Sequence, residues 1–91
     1  MAMNHVVWSV LRRKDETIQR LWKIQVYSAY HRARRRAERV ILESNPLVES
    51  VKAESVQIVT EGNKQSTAVL VYSDTESIAA VIEEVERETN D

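Results

Sequence analysis

From His5 to Leu11 the side chains alternate, with Val6, Trp8 and Val10 on one side and Val7, Ser9 and Leu11 on the other. A period of two is the pattern of a β-strand. The charged stretch from Arg12 to Thr17 reads as a turn, and a second alternating run from about Ile18 to Tyr27 sets Trp22, Ile24 and Val26 together. Pairing Trp8 with Ile24 and Val10 with Trp22 closes a hairpin around Asp15-Glu16-Thr17, and the same register brings Leu11 against Leu21.

The period then lengthens. Ala29, Ala33, Ala37, Val40 and Ile41 recur at helical spacing. Ser28 is a suitable N-cap, and Asn45-Pro46 ends the helix because the residue before proline disfavours the α region. A third strand is predicted over about Val51 to Glu61, with Val56 and Ile58 pointing one way, and a fourth over Ser66 to Tyr72. Gly62-Asn63 between them has glycine first, as a type II′ hairpin turn requires. Ser73 followed by Glu76 has the form of a capping box, and Ile78, Val81, Ile82 and Val85 then form a helical stripe.

The predicted order is strand, strand, helix, twice over. Val26-Tyr27-Ser28 before the first helix recurs as Val71-Tyr72-Ser73 before the second, with the helix stripes in phase. The expected fold class is therefore α+β: two ββα units, giving a four-stranded antiparallel sheet with two helices on one face. One domain covers residues 1–91, with a first unit over about 4–45 and a second over about 50–89. Met1-Ala2 ahead of Met3 reads as an addition, with Met3 as the natural start.

In this arrangement Trp8, Trp22, Ile24, Val26, Ile58, Val69 and Val71 face the helices. The alternate positions include Val7, Leu11, Leu21, Tyr27, Val59, Ala68, Leu70 and Tyr72, and they form a far face too apolar for water. The expected interface is thus Val7, Leu11, Leu21, Tyr27, Leu70 and Tyr72, buried by a homodimer packed sheet to sheet or by a protein partner. The competing readings are a register one residue off on some strand, or a sheet that curls to cover itself.

Charge changes the picture more than composition does. Through Leu42 there are ten lysines and arginines against three acids; from Glu43 onward there are three against eleven, so a net charge of −1 conceals two opposed halves. On the first helix Arg32, Arg35, Arg36 and Arg39 make a ridge away from the apolar stripe, which Arg12 and Arg13 in the first turn extend. Such a ridge suits nucleic-acid phosphates or an acidic partner. The competing reading pairs it with Glu76, Glu83, Glu84, Glu86 and Glu88 of the second helix.

The chemistry of catalysis is thinly represented. The chain has no cysteine, a single glycine and two histidines, His5 and His31, neither with a ligand or base partner at useful spacing. No metal, cofactor or small-molecule substrate is expected. No apolar run reaches the ~20 residues of a membrane span, so the expected compartment is the cytoplasm. In size and style the layout resembles small accessory proteins of phages and mobile elements. The expected function is non-enzymatic: a regulatory protein that docks a macromolecule through charged and apolar surfaces, with a nucleic-acid-binding module built on the first helix as the alternative.

Overall fold

The computed structural model describes residues 2–59 and 61–87. Their order is β1 (Met3–Arg12), β2 (Ile18–Tyr27), α1 (Tyr30–Ser44), β3 (Lys52–Val59), a 3-10 turn (Glu61–Asn63), β4 (Gln65–Tyr72) and β5 (Ile78–Glu86). All five strands join one antiparallel sheet in the order β2-β1-β5-β4-β3, and α1 crosses one of its faces. This corrects the expectation of a four-stranded sheet with two helices: the second ββα unit is a β-meander, and the forty-five-residue echo of Val-Tyr-Ser marks no structural repeat.

The expected second helix is the central strand. Ser73 does make a turn, its carbonyl accepting from Glu76 N at 3.3 Å and its hydroxyl from Thr75 N at 3.4 Å. Beyond it the chain extends, and Ala79, Ala80, Val81 and Ile82 are each no more than 1% exposed. Sides alternate, with Ala80 and Ile82 beneath α1 and Ala79 and Val81 on the opposite face. A strand covered on both faces is a continuous apolar run, and over so few residues periodicity does not separate it from a buried helix. Hydrogen bonding does. β5 pairs with β1 from Ile78 to Glu86 and with β4 from Ala80 to Glu83, so it joins two hairpins that would otherwise lack a common sheet.

α1 packs by small residues. Ala33, Ala37 and Ile41 are fully buried against Val7, Val71, Ala80 and Ile82. Alanine facing alanine lets the helix backbone approach the sheet closely, and isoleucine fills the space at the helix end. Ala29 stands at the N-cap without a side-chain hydrogen bond, in place of the expected Ser28. At the other end Asn45 closes the helix through its N–H to Ile41 O at 2.9 Å, while its Oδ1 accepts from Leu47 N at 3.0 Å.

The first hairpin has the expected turn but not the expected register. Two irregularities, between Val7 and Trp8 and between Ser9 and Val10, place Trp8 opposite Lys23, Ser9 opposite Trp22 and Val10 opposite Arg20. The extra residues on β2 are Leu21 and Ile24, and each resets the alternation that follows. The two sides of β1 are consequently exchanged relative to expectation: Val7 lies under α1, whereas Trp8 and Val10 lie on the opposite face.

Within the turn, Thr17 N and Oγ1 both donate to Asp15 Oδ1, at 3.1 and 2.6 Å. These bonds hold the Asp15 carboxyl below its ordinary value of 3.8. The native turn thus gains a small stabilisation that is present above that ordinary value and lost as pH falls through the lower folded one. A carboxyl NMR titration should place the Asp15 midpoint below 3.8 and return it towards that value in Thr17→Val. In the second hairpin both Gly62 and Asn63 take positive φ, 76° and 60°, so the turn is not of type II′, which needs only the first to do so.

The face away from α1 covers itself. Ala68, Leu70, Ala79, Val81, Val10 and Ile58 are all buried there within the single chain. The two outermost strands, β2 and β3, together line one groove of about 490 Å³: Ile18 and Arg20 stand on one wall, Gln57, Ile58 and Val59 on the other, with Val10 and Val81 between. Strands at opposite edges of a sheet share a groove only if the sheet curls strongly. Curling buries what the alternation suggested was bare.

Long side chains complete the cover. The Arg20 guanidinium lies 4.6 Å from the Trp8 ring centroid, Trp8 Nε1 donates to Glu83 Oε1 at 3.1 Å, and Arg20 Nη2 stands 3.5 Å from Glu83 Oε2. Further along, Arg12 lies 4.4 Å from the centre of the Tyr72 ring and donates to Ser73 O at 3.0 Å. Arginine stems thus shield apolar surface while their charged heads remain at the rim.

Candidate functional site

The expected sheet interface does not come together as one surface. Val7 is fully buried under α1, and Tyr27 packs against the same cluster. By alternation Leu11 is on Val7's side of β1. Leu70, 3% exposed, and Tyr72, beneath Arg12, belong to the opposite face. Leu21 sits at an irregularity of the β2 edge and is partly exposed. The apolar far face that motivated a sheet-to-sheet dimer is buried inside the chain.

The arginines divide into two groups. Arg12 lies over Tyr72 and donates to Ser73 O, and Arg13 donates to the Gln19 side-chain oxygen. On α1, Arg34 is paired with Glu38 Oε1 at 3.0 Å and donates to Tyr30 OH at 3.4 Å. Those contacts raise its pKa further, the Tyr30 hydrogen bond contributing most. Arg36 stands 3.6 Å from Glu43 Oε1 and its buried Nη1 has no hydrogen-bond partner among the described residues.

Arg32, Arg35 and Arg39 are exposed, and among the described residues no acid or other side chain pairs with them. None of the described acids expected to neutralise them pairs with them. Glu83 serves Trp8 and Arg20 on the other side of the sheet, Glu76 accepts from Asn45 Nδ2 at 2.6 Å, and Glu84 and Glu86 are on β5. Glu88 falls outside the described residues.

Helical phase fixes the shape of this face. At about 100° per residue, Arg35, Arg39, Arg32 and Arg36 succeed one another around the outer half of α1, opposite Ala33, Ala37 and Ile41. The last of them, Arg36, turns the ridge down towards β2. There it lines a groove of about 470 Å³ together with Val40 and Glu43 of α1 and Ser9, Trp22, Lys23 and Ile24 of the sheet. Trp22 is 59% exposed.

Trp22 was expected beneath a helix, and it does lie on the α1 side opposite Ser9, but on the outermost strand, where α1 leaves it uncovered. Its indole is therefore a surface feature that alternation alone could not have revealed. Arg20 and Glu83 were also missed as partners, being sixty-three residues apart in the chain. His5 is buried with its ring 5.7 Å from that of Tyr30, and His31 is exposed at the start of α1. Among the described residues no three histidines, cysteines, aspartates or glutamates gather as metal ligands would. None of the described helices is long and apolar enough to cross a membrane. No protein family, curated protein or solved structure matches this chain.

Proposed function

We propose that this chain is a non-enzymatic binding protein that docks an anionic macromolecule on the outer face of α1. The observation that carries the reading is the exposed row of Arg32, Arg35 and Arg39, which has no acid partner among the described residues. Five arginines share the helix with only Glu38 and Glu43, and no acid occupies its first turn. Like charges three or four positions apart on a helix repel by roughly 0.2–0.5 kcal/mol per pair. Arg32, in the first turn, also sits at the positive end of the helix dipole, where a cation is disfavoured. Placement of this kind weakens the isolated fold slightly, and an anionic partner reverses both penalties when it binds.

Arginine, with no lysine on the helix, supplies planar forks that grip phosphate or carboxylate through two hydrogen bonds. The test is binding of the whole chain to mixed-sequence DNA, RNA and polyglutamate, followed by anisotropy. Engagement of three or four arginines should lower affinity roughly 20- to 150-fold between about 50 and 200 mM salt. Arg35→Glu with Arg39→Glu should abolish binding without lowering the melting temperature. Absence of binding to all three probes at low salt would overturn the reading, as would binding indifferent to the double substitution.

A further inference from the structure

Resting on that docking face, we infer a more specific partner: single-stranded nucleic acid, with one of its bases stacked on Trp22. The two tryptophans of the chain are treated differently. Trp8 is covered by Arg20 and anchored to Glu83, whereas Trp22 is 59% exposed on the β2 edge. A bare indole costs apolar hydration that burial would recover.

Its surroundings are those of a base platform. The groove beside it has an apolar wall from Ile24 and Val40, and Arg36 lies at the side where the arginine ridge enters. Arg36 Nη1 is buried and carries no hydrogen bond among the described residues, and its ionic partner Glu43 is 62% exposed on its side chain, so Arg36 marks the edge of the groove and the exposed arginines beside it offer the phosphate contacts. Phosphates on Arg32, Arg35 and Arg39 would thus lead a strand along the helix to the indole. Charge and stacking surface are contiguous.

A duplex offers no such base. Its faces are already stacked on one another, and an indole beside a cationic row finds only backbone. Single strands expose the face of every base, and a cationic track flanked by an aromatic ring is how proteins hold them without reading sequence.

The experiment compares fluorescein-labelled oligothymidylate of about 16 nucleotides, the upper end of common single-strand site sizes, with a duplex of equal length. Oligothymidylate should bind more tightly than the duplex. Trp22→Ala should weaken it roughly 5- to 150-fold, the range that loss of one stacked base implies. Trp22→Phe, which keeps a flat ring, should recover most of the loss. Because Trp22 is largely exposed, both variants should melt as the parent does, and the phenylalanine variant guards against misfolding in the other. Equal affinity for duplex and single strand, or an unchanged affinity in Trp22→Ala, would overturn the stacking inference while leaving the basic face in place. Binding to polyglutamate alone would overturn nucleic acid as the partner and still support docking on α1; no binding to any of these probes would remove both.

Discussion

Ile82→Ala should destabilise the protein by about 2–5 kcal/mol, the range for removing an isoleucine from a core that cannot collapse around the gap. Ile82 is 1% exposed, and its neighbours are Val7, Ala33, Ala37, Ile41, Val71 and Ala80. Three of those six are alanines, which have no side-chain length with which to fill a cavity. A chain of this size has a total stability of about 5–14 kcal/mol by per-residue scaling, so the loss is a large part of the whole. Each kcal/mol should lower the melting temperature by roughly 4–8 °C, readable by circular dichroism. Val85→Ala is the informative companion. A helix over this segment would bury Val85 in the same stripe as Ile82, but as the penultimate residue of β5 it is 41% exposed. Its replacement should therefore cost less than about 0.5 kcal/mol. Equal losses at the two positions would contradict the strand.

Glu83→Lys should be of similar severity, about 3–5 kcal/mol, and for an electrostatic reason. Glu83 is 8% exposed, and its two carboxylate oxygens are divided between Trp8 Nε1 and Arg20. Lysine at that position removes the indole's acceptor and sets a second cation beside Arg20, whose side chain is 28% exposed, so the repulsion is partly screened and adds to the loss of the buried acceptor. Arg20 is also the lid over Trp8, so its displacement opens the buried face around Val10 and Val81 to solvent. Glu83→Gln retains an acceptor for the indole without the charge. It should lose clearly less than the lysine variant, and urea denaturation of the pair measures the difference. A lysine variant as stable as the parent would show that the Arg20–Trp8–Glu83 assembly contributes nothing to closing the sheet.

The two substitutions probe the places where local pattern and tertiary arrangement part. Both concern β5, whose sequence satisfies a helical and an extended template together. Ser73 and Glu76 have the letters of a capping box, yet Glu76 is taken by Asn45 and Ser73 by its own turn. The capping residues are local evidence, whereas the choice of strand is made by β1 and β4. Each has an edge that only an extended segment can satisfy, because every backbone N–H and C=O taken from water needs a partner. Neither edge is visible from residues 73–86.

The candidate site shows the same division in reverse. Arg32, Arg35, Arg36 and Arg39 fall on one side of α1 by helical phase alone, and they were readable as a ridge from their spacing. Which of them would be paired was not readable: Arg36 meets Glu43, whereas Arg32, Arg35 and Arg39 meet no acid among the described residues. Trp22 lies on the α1 side as its alternation suggested, but it is exposed because β2 is the outermost strand, and strand order is not written in the local pattern.

What the amino-acid order determined by itself was whatever depends on near neighbours: β1 and β2 with their turn at Asp15, the limits and apolar stripe of α1, the β3–β4 hairpin at Gly62-Asn63, and the opposed charges of the two halves. Tertiary structure decided the strand identity of β5, the side on which Trp8 and Val7 lie, the curl that closes the far face, and that Arg32, Arg35 and Arg39 meet no acid among the described residues. The reason is range. Periodicity and capping act over three or four residues, whereas hydrogen-bond pairing and burial are settled between Trp8 and Glu83, or Val7 and Ile82, seventy-five residues apart.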